Sequence, residues 1–146
     1  MRLVTTVFLS LVTFSLLAQE EPPTNNLLLD WFLKLESGAV LPNHSIKIKK
    51  ENGEVLNVVT TDETGRFRAY FPFDEVLELW CSNTGYHTKI LVIDTRSVPK
   101  SKQKWGFEYG GFEVTLKPIG LENKGVNRVA ILKYSSKVQS FDFELH

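Results

Sequence analysis

Residues 60–90 read TTDETGRFRAYFPFDEVLELWCSNTGYHTKI, and their punctuation decides the fold. Asp62-Glu63-Thr64-Gly65 is a tight-turn cluster: the aspartate can bond the backbone just ahead of it, and the glycine can take positive φ at the turn's end. In the next six residues Phe67, Ala69 and Phe71 share one face and Arg66, Arg68 and Tyr70 the other, the period of a half-buried strand. Pro72 lacks a backbone donor and marks the end or edge of that strand. Residues 75–81 alternate again, with Leu77, Leu79 and Cys81 opposite Val76, Glu78 and Trp80. A second turn, Asn83-Thr84-Gly85-Tyr86, leads into a third strand over 87–94.

Outward from this stretch the same grammar continues. Residues 27–36 predict a first strand with Leu29, Trp31, Leu33 and Leu35 on one face, while Leu28 and Phe32 make the other face partly apolar, as a strand covered on both sides requires. Residues 44–50 alternate Ile46 and Ile48 with Lys47 and Lys49, and Asn52-Gly53 is the strongest short hairpin signal before a return strand over 55–61. Residues 111–118 supply a closing strand with Phe112, Val114 and Leu116 on one face. Beyond it, 128–134 read as one more strand, and Phe141, Phe143 and Leu145 alternate in the tail, which either docks on its own domain or offers an edge strand to a partner.

The order TDxxGxFxxxxP, a short strand, then GYxxK resembles the carboxypeptidase regulatory-like domain, carried here by Thr61, Asp62, Gly65, Phe67, Pro72, Gly85, Tyr86 and Lys89. The likeness extends over about 31–118 to a subgroup of small exported bacterial proteins, whose tails resemble Lys133-Tyr134 followed by Phe141-Asp142-Phe143. The resemblance implies an all-β, transthyretin-like (prealbumin-like) Greek-key β-sandwich of about seven strands over 27–118, with a C-terminal extension over 119–146 that adds one or two strands. It also implies an accessory module with no catalytic domain.

The chain has 146 residues, 42% hydrophobic, enough for one ordinary core. The formal charge of zero gives no global pull toward nucleic acid or anionic membrane, so patches must be judged locally. Residues 1–18 read as an export signal, with Arg2 at the start, an apolar run over 3–17 and Ala18 before the expected cleavage at Gln19. Cleavage removes one of 17 basic residues and leaves 16 against 17 acidic, and no transmembrane segment is expected afterwards. Residues 19–26, QEEPPTNN, read as a flexible leader. Periplasm, outer-membrane periphery and extracellular space all fit. The lone Cys81 cannot form an internal disulfide and shares a face with Leu77 and Leu79, as a buried thiol would.

Catalytic patterns are missing from the sequence. His44, His87 and His146 are scattered, without the glutamate three positions on that a metallocarboxypeptidase ligand pair carries. There is no nucleophile elbow and no phosphate-binding glycine loop. The Tyr-Arg-Gly-Ser terminus of hydroxyisourate hydrolases is absent, and Tyr86-His87 has no second pair of the kind that holds iron in intradiol dioxygenases. No enzyme, cofactor or metal is expected. The unusual segment is 94–111, DTRSVPKSKQKWGFEYGG, in which Lys100, Lys102 and Lys104 precede Trp105, Phe107 and Tyr109. It is either an exposed binding loop or a crossover whose aromatics cap the sandwich. Trp105, Phe107, Tyr109, Phe141 and Phe143 are therefore the candidate contacts. The expected role is protein contact in the bacterial envelope, with carbohydrate or small-ligand binding through the 94–111 aromatics as the alternative.

Overall fold

The computed structural model describes residues 24–120 and 127–145. The expected export signal over 1–18, most of the leader and His146 lie outside the described residues.

The Asp62 turn forms as its residues dictate. Its carboxylate accepts from the Thr64 N–H at 2.8 Å, the Thr64 hydroxyl at 2.7 Å and the Arg66 N–H at 3.0 Å, and Gly65 sits at φ +79°. The Gly65 carbonyl in turn accepts from the Leu33 N–H at 2.8 Å, which fastens the turn to the first strand. Strand β4 (Arg66–Pro72) leaves this turn with Phe67, Ala69 and Phe71 buried.

Strand β1 (Asn26–Leu35) pairs antiparallel with β4 on one side and parallel with β7 (Phe107–Leu116) on the other. Those three make one sheet, in the order β4-β1-β7. The second sheet is built from β2 (Ser45–Lys50), β3 (Val55–Thr60), β5 (Val76–Cys81), β6 (Lys89–Asp94), β8 (Asn127–Ser135) and β9 (Ser140–Leu145). Its order is β3-β2-β5-β6-β8-β9. A short helix, α1 (Lys100–Gln103), lies in the crossover between β6 and β7. The protein is an all-β sandwich whose inner faces meet in one core, with Trp31, Phe67, Phe71, Leu79, Ile93 and Leu132 among its fully buried side chains.

The segment after residue 118 is part of this architecture. β8 runs parallel to β6, β9 returns antiparallel to β8, and Leu132, Tyr134 and Phe141 belong to the core cluster. The strand read over 111–118 begins earlier, at Phe107, because the chain passes through Gly110-Gly111 without leaving the sheet. The register against β1 slips between Asp30 and Phe32, and Gly111 takes φ +77°. That bulge changes which parity faces inward. Phe107 and Tyr109 point to the core before it, and Phe112, Val114 and Leu116 after it.

Cys81 is fully buried among its strand neighbours, and burial pushes its thiol up to about 12. No helix among the described residues is long and apolar enough to cross a membrane.

Candidate interaction site

One end of the sandwich is built by three turns. In the β6–β7 crossover Val98 is buried in the core. Pro99 then caps the start of α1, where its missing N–H costs nothing, and its carbonyl accepts from the Lys102 N–H at 2.9 Å. The helix stops after one turn: the Trp105 N–H reaches Lys102 at 3.2 Å, the Gly106 N–H reaches Gln103 at 3.1 Å, and Gly106 swings to φ +66° so that β7 can begin.

Polar contacts tie this turn to its two neighbours. Lys100 bonds the Asp74 carboxylate, and Gln103 Nε2 donates to Asp74 Oδ1 at 3.1 Å and to the Val98 carbonyl at 3.2 Å. Those bonds, with Lys100 first, hold the Asp74 carboxyl below its ordinary range. Lys102 Nζ donates to the Tyr134 hydroxyl at 3.2 Å and to Gln139 Oε1 at 3.0 Å, which joins α1 to the β8–β9 turn.

The outcome is a fixed tip from which two large apolar side chains project. Trp105 is 71% exposed, with Lys104 Nζ 4.8 Å from its ring centroid, and Val138 in the β8–β9 turn is 54% exposed. The cation over the ring is worth roughly 0.5–1 kcal/mol at such an exposed site and restrains the indole.

The other four candidate contacts face inward. Phe107 packs edge-on against Phe73, Tyr134 and Phe141, with centroids 6.2, 5.7 and 5.5 Å away. Tyr109 and Phe143 stand beside Trp31 at 6.2 and 6.1 Å, and Phe112 lies 4.7 Å from Phe143. The Trp31 indole N–H donates to the Tyr109 carbonyl at 2.8 Å. Phe141 is only 3% exposed. These aromatics join the two sheets, and the sequence period that grouped Phe107 and Tyr109 with Trp105 marks the strand below the tip. Val138 escaped the sequence reading because one valine among Ser135, Ser136, Lys137, Gln139 and Ser140 has no periodicity to reveal it.

A concavity of about 620 Å³ lies on the outer face of the three-stranded sheet beside Asp30, Phe32, Asp62, Arg66 and Glu108. Three of its charged groups, Asp30, Asp62 and Arg66, are already engaged. Asp30 is buried and takes a bidentate pair from Arg66, Nε at 2.6 Å with a second bond from Nη2, and Arg68 Nε stands 3.8 Å from the same carboxylate. Asp62 is held below its usual range by the Thr64 hydroxyl and backbone bonds that form its turn. Both carboxylates thus brace β1, β4 and the turn between the sheets. His44 contacts the Ser82 carbonyl, and His87 lies outside the strands, before β6, its N–H donating to the Lys117 carbonyl at 2.9 Å. Among the described residues no three His, Cys, Asp or Glu side chains gather to hold a metal.

No protein-family model matches the chain, and no curated protein matches its sequence. Among solved structures, the Bacillus anthracis TIE protein aligns with 73% of this chain at 15% identity and a TM-score of 0.47, and the aligned region is 22% of that protein. A likeness of that size carries no functional argument.

Proposed function

We propose that this chain is a non-catalytic, exported β-sandwich of the carboxypeptidase regulatory-like, transthyretin-like kind that makes protein contacts in the bacterial cell envelope. The observation that carries the reading is Trp105, a tryptophan 71% exposed on a turn anchored from below by Phe107 and Val98 and from the side by Lys102. Exposed tryptophans on rigid supports are the side chains that dominate contact energy when a partner closes over them. Val138 beside the same bridged turns enlarges the apolar area, and Lys104 supplies a polar rim. Export rests on the sequence of residues 1–18.

Carbohydrate stacking on the same indole is the second reading. Of the five candidate contacts it has one exposed ring to work with, because Phe107, Tyr109, Phe141 and Phe143 are turned toward the core. Protein contact uses both projecting side chains and is the better fit.

The test is a crosslinking pull-down from the envelope fraction of the native host with the tagged full chain, beside Trp105→Ala and Val138→Ser. Ending the chain at Pro118 is not a usable comparison, since it deletes β8, β9 and Phe141 from the core. Recovery of one protein by the native chain, with loss in both variants, supports contact through the tip. Equal recovery by all three refutes it. Glycan binding that disappears in Trp105→Ala, with no protein recovered, establishes the second reading instead.

A further inference from the structure

Among the described residues the two sheets leave four strand edges, and three of them are defended. β9 carries the exposed Asp142 and Glu144, β4 carries Arg66 and Arg68 and ends in Pro72, and β7 carries Glu108, Glu113 and the Gly110-Gly111 bulge. Charges, proline and bulges are the features that keep edges from pairing with other chains. β3 has the sequence VLNVVT, without a charge or a proline, and Val55, Leu56 and Val58 are 47%, 44% and 47% exposed. Its one irregularity is a register slip opposite Ile48 and Lys49.

The direction of its backbone groups follows from the flanking bonds. The Thr61 N–H donates to the His44 carbonyl at 3.0 Å and the Asn43 N–H to the Thr61 carbonyl at 3.1 Å. Antiparallel alternation then turns the main-chain groups of Val59 and Asn57 toward β2 and those of Val58 and Thr60 outward. The outward Val58 N–H is held by the Asn57 side-chain oxygen at 2.8 Å. On the opposite edge of the same sheet Asp142 does the same for the Phe143 N–H at 2.9 Å. The two caps differ in consequence. Asp142 keeps a charge on its edge, whereas Asn57 is a neutral amide that can rotate away.

We infer that β3 pairs with β3 of a second copy of this chain, antiparallel about a two-fold axis at Val58. In that register the two Val58 residues exchange both main-chain bonds, Thr60 faces Leu56, and Asn57 faces Val59. A second copy fits better than a charged partner strand because the segment is uncharged throughout and a symmetric pair sets no like charges opposite each other. The nearest lysines, Lys47 and Lys49 on β2, are three strand spacings from their counterparts, roughly 14 Å, beyond a physiological screening length of about 8 Å. One six-residue strand per copy is a contact below the standard interface size, so the dimer is weak and concentration-dependent.

Sedimentation equilibrium from about 1 μM to 1 mM, the span of weak protein association constants, reads this directly. The native chain is expected to pass from monomer to dimer within that range. Val58→Glu places a carboxylate opposite Lys47 in its own sheet, which favours the monomer fold, while setting two carboxylates against each other across the two-fold axis. It should be monomeric at every concentration, with an unchanged unfolding midpoint.

Register is read by oxidation. Val58→Cys should form a disulfide-linked dimer, whereas the two positions 55 would lie six residues apart along the pair, about 20 Å, so Val55→Cys should not. The buried Cys81 does not compete. A native chain that stays monomeric, a Val58→Glu variant that dimerises as well as the native chain, or equal crosslinking at 55 and 58 would each overturn the inference. Trp105→Ala should leave the dimer intact, so failure at the tip and failure at this edge are separate results.

Discussion

Phe141→Ala tests whether the last strand is part of the core. The ring is 3% exposed and packs edge-on against Phe107 at 5.5 Å and Tyr134 at 6.0 Å. Truncating a buried phenylalanine to alanine costs about 3–5 kcal/mol, from lost transfer energy and the cavity left behind. Loss of the edge-on ring contacts is contained in that range. Single domains are stable by only about 5–15 kcal/mol, so the variant should forfeit a large fraction of the total. Urea unfolding followed by far-ultraviolet circular dichroism should show the midpoint fall by roughly 1–5 M, at a slope of about 1–3 kcal/mol per molar, with that slope unchanged. Trp105→Ala is the internal reference and should shift stability by no more than about 0.5 kcal/mol, because its ring is mostly in water. If the two substitutions cost the same, β9 is not packed as described, and the assignment of the tail to the core is wrong.

Cys81 should resist iodoacetamide at pH 8 until the chain unfolds, since a thiol raised to about 12 is ionised in only about one molecule in ten thousand there and is also enclosed. Brisk labelling of the native protein would contradict its placement. Asp94 accepts Arg96 Nη2 at 2.8 Å and Nε at 3.0 Å, and this side-chain pairing, ahead of the backbone bond, lowers its carboxyl. A carboxyl depressed by folding contributes stability above its unfolded value of 3.8 and loses it as the pH falls through the folded one. Asp94→Asn should therefore cost about 1 kcal/mol at pH 7, with Arg96 largely exposed, and progressively less below pH 4; a cost independent of pH would exclude the pairing as its source. Gly65→Ala should cost about 2–4 kcal/mol, since the position needs φ +79° and the added carbon would stand 2.7 Å from the Leu33 carbonyl oxygen. Gly53→Ala shares the positive φ but meets nothing within 4 Å, so it should cost only about 1 kcal/mol; equal denaturation midpoints would remove the steric argument.

Local pairing was legible wherever turn chemistry and period two agreed. The Asp62 turn, the alternation of β2, β4 and β5, and the inward face of Cys81 all follow from side-chain identity. The long-range pairing was not legible. β1 and β7 lie side by side though 71 residues separate their ends, Leu35 and Phe107, and nothing in either strand names the other. The Gly110-Gly111 bulge hid the continuity of β7, because inward residues are odd-numbered before it and even-numbered after it. Trp105 belongs to the parity of Phe107 and Tyr109 yet sits outside the strand, on the turn that Gly106 ends, so a period count placed one exposed residue and two inward ones in a single group.

The parallel pairing of β6 with β8 has a consequence for how the chain reaches this state. A parallel partner cannot zip up from a hairpin, so β8 must return across the whole crossover before its hydrogen bonds can form. β1 waits similarly for β7, and the rings joining the sheets include Phe141 and Phe143, among the last described residues. Local hairpins such as β2–β3 and β5–β6 can form early, but the enclosed interior is incomplete until β9 has been made. Until β9 has emerged the core therefore lacks one wall, and its apolar faces stay open to water.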